Sequence, residues 1–511
     1  MADSSGREKR HAKRRGWKAL AWVAIAAAGL LLLHAAAARW LLSGPTLRRW
    51  INTSPETTWI DWDEATSIWP GRARVRGLRI RGRDQNVQWI FHLEEGQFRY
   101  SVAELVARRF HVLALDARGL SFRLRKNRRP DDPSPTPVRL QPPILGFSDP
   151  PQAPSPRSGG PGNPWTVRVD GISIEKLSEI WVDMYRFEGE SKLTGRFRLR
   201  PGLAAEIGPA TIEFASGEVH LGREPVLRLD PSRLSARFDP WDPRVLQGDA
   251  VWRRVTGEVR MSGRVERVAF ANYFLRRARV PRLSGGSGQA RIRVGIEGGV
   301  ARGEVAFDAR RLGLQTAVSS LSGDTRVALR IRRWDLERGP LDLSGSRIEL
   351  ADLSSEPDGS RDWWGRFTVP RGTLGDLLDA RLALSSRDAR PILSALGASV
   401  PKLARAVLKL EGLEASGRIR AGRGHLELRE LDVKGGHLHM EGDFRQLGHR
   451  QDGVFFLDAG KFNFGVSVRD GRSRLRLIAT RKWFERERQA IADAAPSARG
   501  QAARSTTTAV P

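Results

Sequence analysis

Beyond about Leu42 the chain alternates between apolar and polar residues in one stretch after another, and a period of two admits few folds. In GLSFRLR, Leu120, Phe122 and Leu124 alternate with Ser121, Arg123 and Arg125. RFRLR sets Phe197 and Leu199 against Arg196, Arg198 and Arg200, and RIRVGI sets Ile292, Val294 and Ile296 against Arg291 and Arg293. KFNFGVSV spaces Phe462, Phe464, Val466 and Val468 in the same way. Successive side chains of an extended strand point to opposite faces, so this rhythm sends one set to an apolar face and the other, mostly arginine, to water. Helical periodicity is rare. The expectation is a mainly β chain, a long twisted antiparallel sheet with a few short helices. Roughly 20 to 25 strands at a spacing of about 4.8 Å would extend on the order of 100 Å as an open sheet. A closed barrel, a two-sheet sandwich or a β-solenoid fits the alternation equally well. In RARVRGLRIRGR the alternation slips at Gly77, so Val75, Leu78 and Ile80 share a face only if the strand bulges there.

One segment breaks the pattern. Ala19 to Ala38 is a run of 20 residues with only His34 polar. As a helix it reaches roughly 30 Å, the thickness of a bilayer core. Trp17 and Trp40 flank it, and residues 1–18 carry seven Lys and Arg against Asp3 and Glu8. Under the positive-inside rule this predicts a cytoplasmic basic tail (1–18) and a single transmembrane anchor (19–42), with everything after it outside the cytoplasm. The competing reading is a cleaved signal peptide ending at Ala35 to Ala38. Both readings export the rest of the chain.

The net charge is +28, with 86 Lys plus Arg against 58 Asp plus Glu. An excess of this size suggests nucleic acid. Its distribution along exported strands argues instead for arginines on solvated sheet faces, where they keep edges from aggregating. Anionic lipid headgroups and surface polysaccharide are the remaining attractions, and no nucleic-acid partner is expected. The chain contains no cysteine, which excludes disulfides and thiolate chemistry.

Residues 45–129 read as an N-terminal β segment and 165–484 as the main β region. Between them, Pro130 to Pro164 is so rich in proline that a flexible insertion burying little apolar area is expected. Residues 485–511 read as a disordered tail, with a short helix at best. Two helices stand out. SVAELVARRF has the capping-box spacing of Ser101 and Glu104, and PILSALGASVPKLARAVLKL carries apolar stripes broken at Pro401.

No nucleophile elbow, P-loop, HExxH or dinucleotide fingerprint is present, and no cofactor is implied. GGSG at Gly285 to Gly288 reads as a turn. His437, His439 and Glu441, with His425 and Glu427, form the best metal constellation, but Leu438 and Met440 claim the buried face and leave the histidines solvated. No metal is assigned. Asp61, Asp63 and Glu64 in WIDWDEA read as an exposed acidic turn rather than a glycosidase acid pair. The chain is not expected to be an enzyme.

The N-terminal helix, the segment WPGRARVRGLRIRGRD and the following SVAELVARRFHVLALDARGLSFRLR together resemble the opening module of the AsmA-like proteins of Gram-negative envelopes. Strand pairs such as LEGLEASGRIRAGRGHLELRELDVKGGHLHMEGDF resemble the β-rich body of that group. The resemblance implies an inner-membrane-anchored periplasmic protein whose sheet curls into an elongated groove lined by apolar residues. It implies bound phospholipid or another acyl lipid, an outer-membrane partner protein, and a part in outer-membrane lipid transport. Leu120, Phe122, Leu124, Phe197, Leu199, Phe462 and Phe464 are the expected collective lining. The alternative is an envelope scaffold that binds polysaccharide or a partner protein through its arginine-rich surface.

Overall fold

The computed structural model describes residues 22–493 except 23, 24, 27, 53–57, 85, 129–135, 154–165, 201–203, 243, 244, 247, 276–281, 316–319, 338, 357–361, 390, 392–410, 423, 449 and 471. Among these residues the chain is mainly β, with 24 strands and few, short helices. Residues 28–43 are helical. No helix among the described residues is long and apolar enough to cross a membrane. The apolar stripes expected at 392–410 lie outside the described residues.

The chain divides into two units, Met1–Gly257 and Glu258–Pro511. The first holds helix α1 (Pro45–Ile51) and strands β1 (Thr58–Asp61), β2 (Glu64–Thr66), β3 (Arg72–Arg83) and β4 (Val87–Tyr100). Helix α2 (Val102–Val106) leads into β5 (Arg109–Lys126), β6 (Thr166–Val182), β7 (Tyr185–Arg200), β8 (Ala204–Leu221), β9 (Glu224–Leu229) and β10 (Ser232–Trp241). The boundary falls inside β11 (Val255–Val265).

The second unit continues with α3 (Asn272–Leu275), β12 (Arg282–Glu297), β13 (Val300–Gln315), β14 (Ser320–Asp335), β15 (Gly339–Asp342) and β16 (Ser346–Glu356). It runs on through β17 (Trp363–Leu374), β18 (Leu378–Ser386), β19 (Leu413–Gly422), β20 (His425–Gly435) and β21 (Leu438–Leu447). It ends with β22 (Arg450–Asp458), β23 (Asn463–Arg469), β24 (Arg472–Leu477) and α4 (Arg481–Asp493).

Among the pairings described residue by residue, the strands run antiparallel except for one pair, which corrects the expectation of a wholly antiparallel sheet. Strand β5 runs parallel to β6, Phe122 lying beside Ile180 and Leu120 beside Leu177. Parallel neighbours need a long crossover, and the proline-rich segment is that crossover.

The segment is also not the loose insertion expected. Its described residues 136–153 pack on the face of β3 and β5 that carries Arg81, Arg123 and Arg125, and Pro142, Ile144 and Pro151 are buried. The physical reason is complementarity. An irregular segment rich in proline leaves carbonyls without partners, and guanidinium groups on the sheet supply donors. Arg81 donates to the Leu145 carbonyl, Arg123 to that of Pro143, and Arg125 to those of Pro142 and Ser148. Arg81 and Arg83 also stack on the Phe147 ring. Arg125, read from the sequence as solvated, is therefore 1% exposed.

The C-terminal boundary moves as well. Helix α4 runs to Asp493, and its Trp483, Phe484 and Ile491 pack on Val454 and Phe456 of β22. Residues 485–493 thus belong to the folded unit. Gly465 of β23 makes the close approach possible, since a Cβ there would lie 2.1 Å from the Trp483 ring.

The slip in β3 is real and is shared. Gly77, Gly119 and Lys176 have φ of 61°, 70° and 57°. The residues around them stay in line across four strands: Arg76, Glu95, Arg118 and Glu175 on one side of the step, Leu78, Leu93, Leu120 and Leu177 on the other. Ser101 makes no side-chain cap to α2, and Glu104 turns instead to His111. GGSG is not a turn but part of β12, where the register shifts and Gly286 takes φ 102°.

Candidate functional site: a continuous apolar face

Register decides what the alternation amounts to. In the second unit, direct cross-strand partners can be followed from β12 to β24: Ala290, Phe307, Val327, Ile348, Phe367 and Leu384. The line goes on through Ala415, Val433, Met440, Leu457, Phe464 and Leu477. Twelve strands contribute one residue each, and none is polar. None of the twelve is fully buried, and Ile348 and Leu477 are 36% and 64% exposed.

The adjacent line of partners points to the other face and is polar throughout. It comprises Gln289, Asp308, Arg326, Glu349, Arg366 and Ser385, then Glu414, Lys434, His439, Asp458 and Asn463. Charges of alternating sign meet across it: Arg326 pairs with Asp308 at 2.9 Å and Arg366 with Glu349 at 3.0 Å. These pairs are exposed and add little stability. They do leave the arginines of this face with partners inside the molecule.

The first unit has an apolar line of its own. Ile60, Ile80, Phe91, Phe122, Ile180, Phe187, Val219 and Leu227 stand in one line across eight strands. Beside it Leu93, Leu120, Ile174 and Leu177 form a buried cluster, with Leu78, Phe91, Ile172, Leu193 and Ile212 partly buried around it.

Five of the expected lining residues, Leu120, Phe122, Leu124, Phe197 and Leu199, lie on this apolar face of the first unit. Leu120 is buried and the other four are half-buried. Phe464 is in the line of the second unit. Phe462 stands apart, 65% exposed in the turn before β23. Sequence reading missed Ile348, Phe367, Val433 and Met440 as a set, because alternation marks each strand's two faces without saying which residues become neighbours. Both packed additions, the proline-rich segment and α4, sit on the faces opposite these lines; α4 is tied there by Arg481 to Glu441 and Arg488 to Asp443.

Set against known protein families, curated proteins and solved structures, the chain matches none of them.

The other candidate chemistry resolves into ion pairs. Asp61 meets Arg48 and Arg79, Asp63 meets Arg79, and Glu64 meets Arg76. His439 lies 3.0 Å from Asp432, and Glu427 is held by Arg429. Among the described residues no three His, Asp or Glu side chains are arranged to hold a metal ion.

A site invisible in the sequence is His111 of β5, buried with Nδ1 2.8 Å from Glu104 and Nε2 2.6 Å from Asp170. Two carboxylates on one imidazole require both nitrogens to donate, which is the protonated ring. The bond to Asp170, then that to Glu104, raises its pKa above the ordinary histidine value against the opposing effect of burial.

Proposed function

We propose that the chain is an inner-membrane-anchored protein of the AsmA-like kind, with its bulk in the periplasm. It holds or conducts lipid acyl chains along its apolar β faces in support of outer-membrane lipid transport. The observation that carries the reading is the twelve-strand line from Ala290 to Leu477, wholly apolar and wholly short of burial. A sheet face of this kind must be covered, and exposed apolar stretches of such extent mark binding surfaces. At about 4.8 Å per strand the line offers an uninterrupted track on the order of 50 Å. The 136–153 segment and α4 pack on the opposite faces, which leaves this track to a ligand with no hydrogen-bonding demands. Acyl chains meet that description. No residue is given a catalytic role, and the lining acts collectively.

The test is to purify the full chain in a detergent that strips bilayer lipid from the anchor, and to measure the phospholipid it retains by mass spectrometry. Phe367→Asp should retain the β signal in circular dichroism and lose most of the lipid. A wild-type chain that carries no lipid, or a folded Phe367→Asp chain that keeps its full complement, would overturn the reading.

A further inference from the structure

The turn between β2 and β3 carries Ile68 and Trp69, exposed at 68% and 57%. Neither belongs to the apolar lines described above. The turn is well defined: Ser67 donates to the Arg72 carbonyl at 2.7 Å, and the Arg72 amide donates to the Trp69 carbonyl. Beside it, Val102 of α2, itself exposed, borders the space above Gly71.

What lies next to the turn tells what covers it. Ser67 Oγ is 3.4 Å from Nε2 of His34, in the N-terminal helical stretch. Further along that stretch, Trp62 donates its indole N–H to the Leu42 carbonyl at 2.9 Å. The β1–β2 region therefore runs beside the helix from Leu42 back to His34, roughly 12 Å at the helical rise. The helix agrees: Leu31, His34, Ala35, Ala38 and Leu42, one helical face, are partly covered, while Leu32, Leu33, Trp40 and Leu41 are exposed.

His34 lies four residues inside the apolar run that ends at Ala38, a depth of about 6 Å. That sets the turn at the outer margin of the hydrocarbon core, just beneath the headgroups. We infer that the β2–β3 turn sits in the interfacial layer of the bilayer that the helix crosses, with Ile68 and Trp69 among lipid chains and headgroups. Trp is the residue best suited to that layer, since its ring is apolar and its N–H is wet. The inference rests on the anchoring reading and adds that the first sheet is seated on the membrane rather than tethered above it.

The absence of native cysteine makes the test clean. Ile68→Cys, Leu32→Cys and Leu145→Cys are each labelled with a nitroxide in the full chain and reconstituted into vesicles of phosphatidylethanolamine and phosphatidylglycerol. Leu145, 83% exposed on the proline-rich segment, is the aqueous reference. Collisions with oxygen are compared with those of a water-soluble nickel chelate. At residue 68 the oxygen-to-nickel ratio should exceed that at 145 several-fold and approach that at 32. Lipid-like behaviour at 32 with water-like behaviour at 68 would overturn the seating and spare the anchor. Water-like behaviour at 32 would overturn both. A label at 68 shielded from both reagents would mean a protein contact and would also overturn the seating.

Discussion

Arg125 shows how much one side chain can organise. Its guanidinium bonds Gln88 through two nitrogens, at 2.9 and 2.8 Å, takes the carbonyls of Pro142 and Ser148, and pairs with Asp149. Arg125→Met keeps the length and loses every donor, so Gln88 Oε1 and the carbonyls of Pro142 and Ser148 lose the donor that Arg125 supplies. The expected cost is about 2–4 kcal/mol, with protease cutting within 136–153 faster than in the parent chain. An unchanged thermal midpoint and unchanged cutting would show that the segment is held by something else.

His111 makes a different prediction. Its pKa is raised in the folded chain, first by Asp170 and then by Glu104. A raised folded pKa means that the stabilisation is complete below the unfolded value, about 6.5, and is lost as pH rises through the folded one. The midpoint difference between the parent chain and His111→Gln should therefore shrink from acid toward alkaline pH. A difference independent of pH would remove the charge from the account of this contact.

At the scale of the element, β23 separates the two faces of the second sheet within consecutive residues. Gly465 faces α4, and a methyl group there meets the Trp483 ring. Gly465→Ala should cost about 1–3 kcal/mol through overpacking, read as a lower thermal midpoint with bound lipid unaffected. Phe464, one residue earlier, faces away from the helix. Phe464→Asp should leave the fold intact and deplete lipid, because a half-exposed carboxylate can stay hydrated. If Phe464→Asp unfolded the chain, the face would be a packed core and the scaffold alternative would gain ground.

For the whole molecule, the proposed topology makes one plain demand. A phosphatase active only after export, fused after Pro511, should be active in cells, and a reporter that works only in the cytoplasm should be silent. The opposite pattern would remove the envelope setting and the lipid reading with it. The charge of +28 bears on the same scale. Ion pairs such as Arg326 with Asp308 and Arg366 with Glu349 cancel one charge of each sign and leave the net charge as it is.

The sequence by itself determined the class of fold and the two faces of each strand, because side-chain direction in an extended chain depends only on parity. It showed the break at Gly77 for a related reason: a change of parity calls for a residue at positive φ, which glycine adopts most readily, though Lys176 takes it at the same step in β6. Tertiary structure alone decided which residues stand beside one another, since register depends on every turn before it, and so the line from Ala290 to Leu477 could not be read from any one strand. It also decided the fate of the proline-rich segment and of residues 485–493. Neither has a periodicity that marks burial, and both are held by partners far off in the chain: Arg81, Arg123 and Arg125 for the first, Val454, Phe456 and the space above Gly465 for the second.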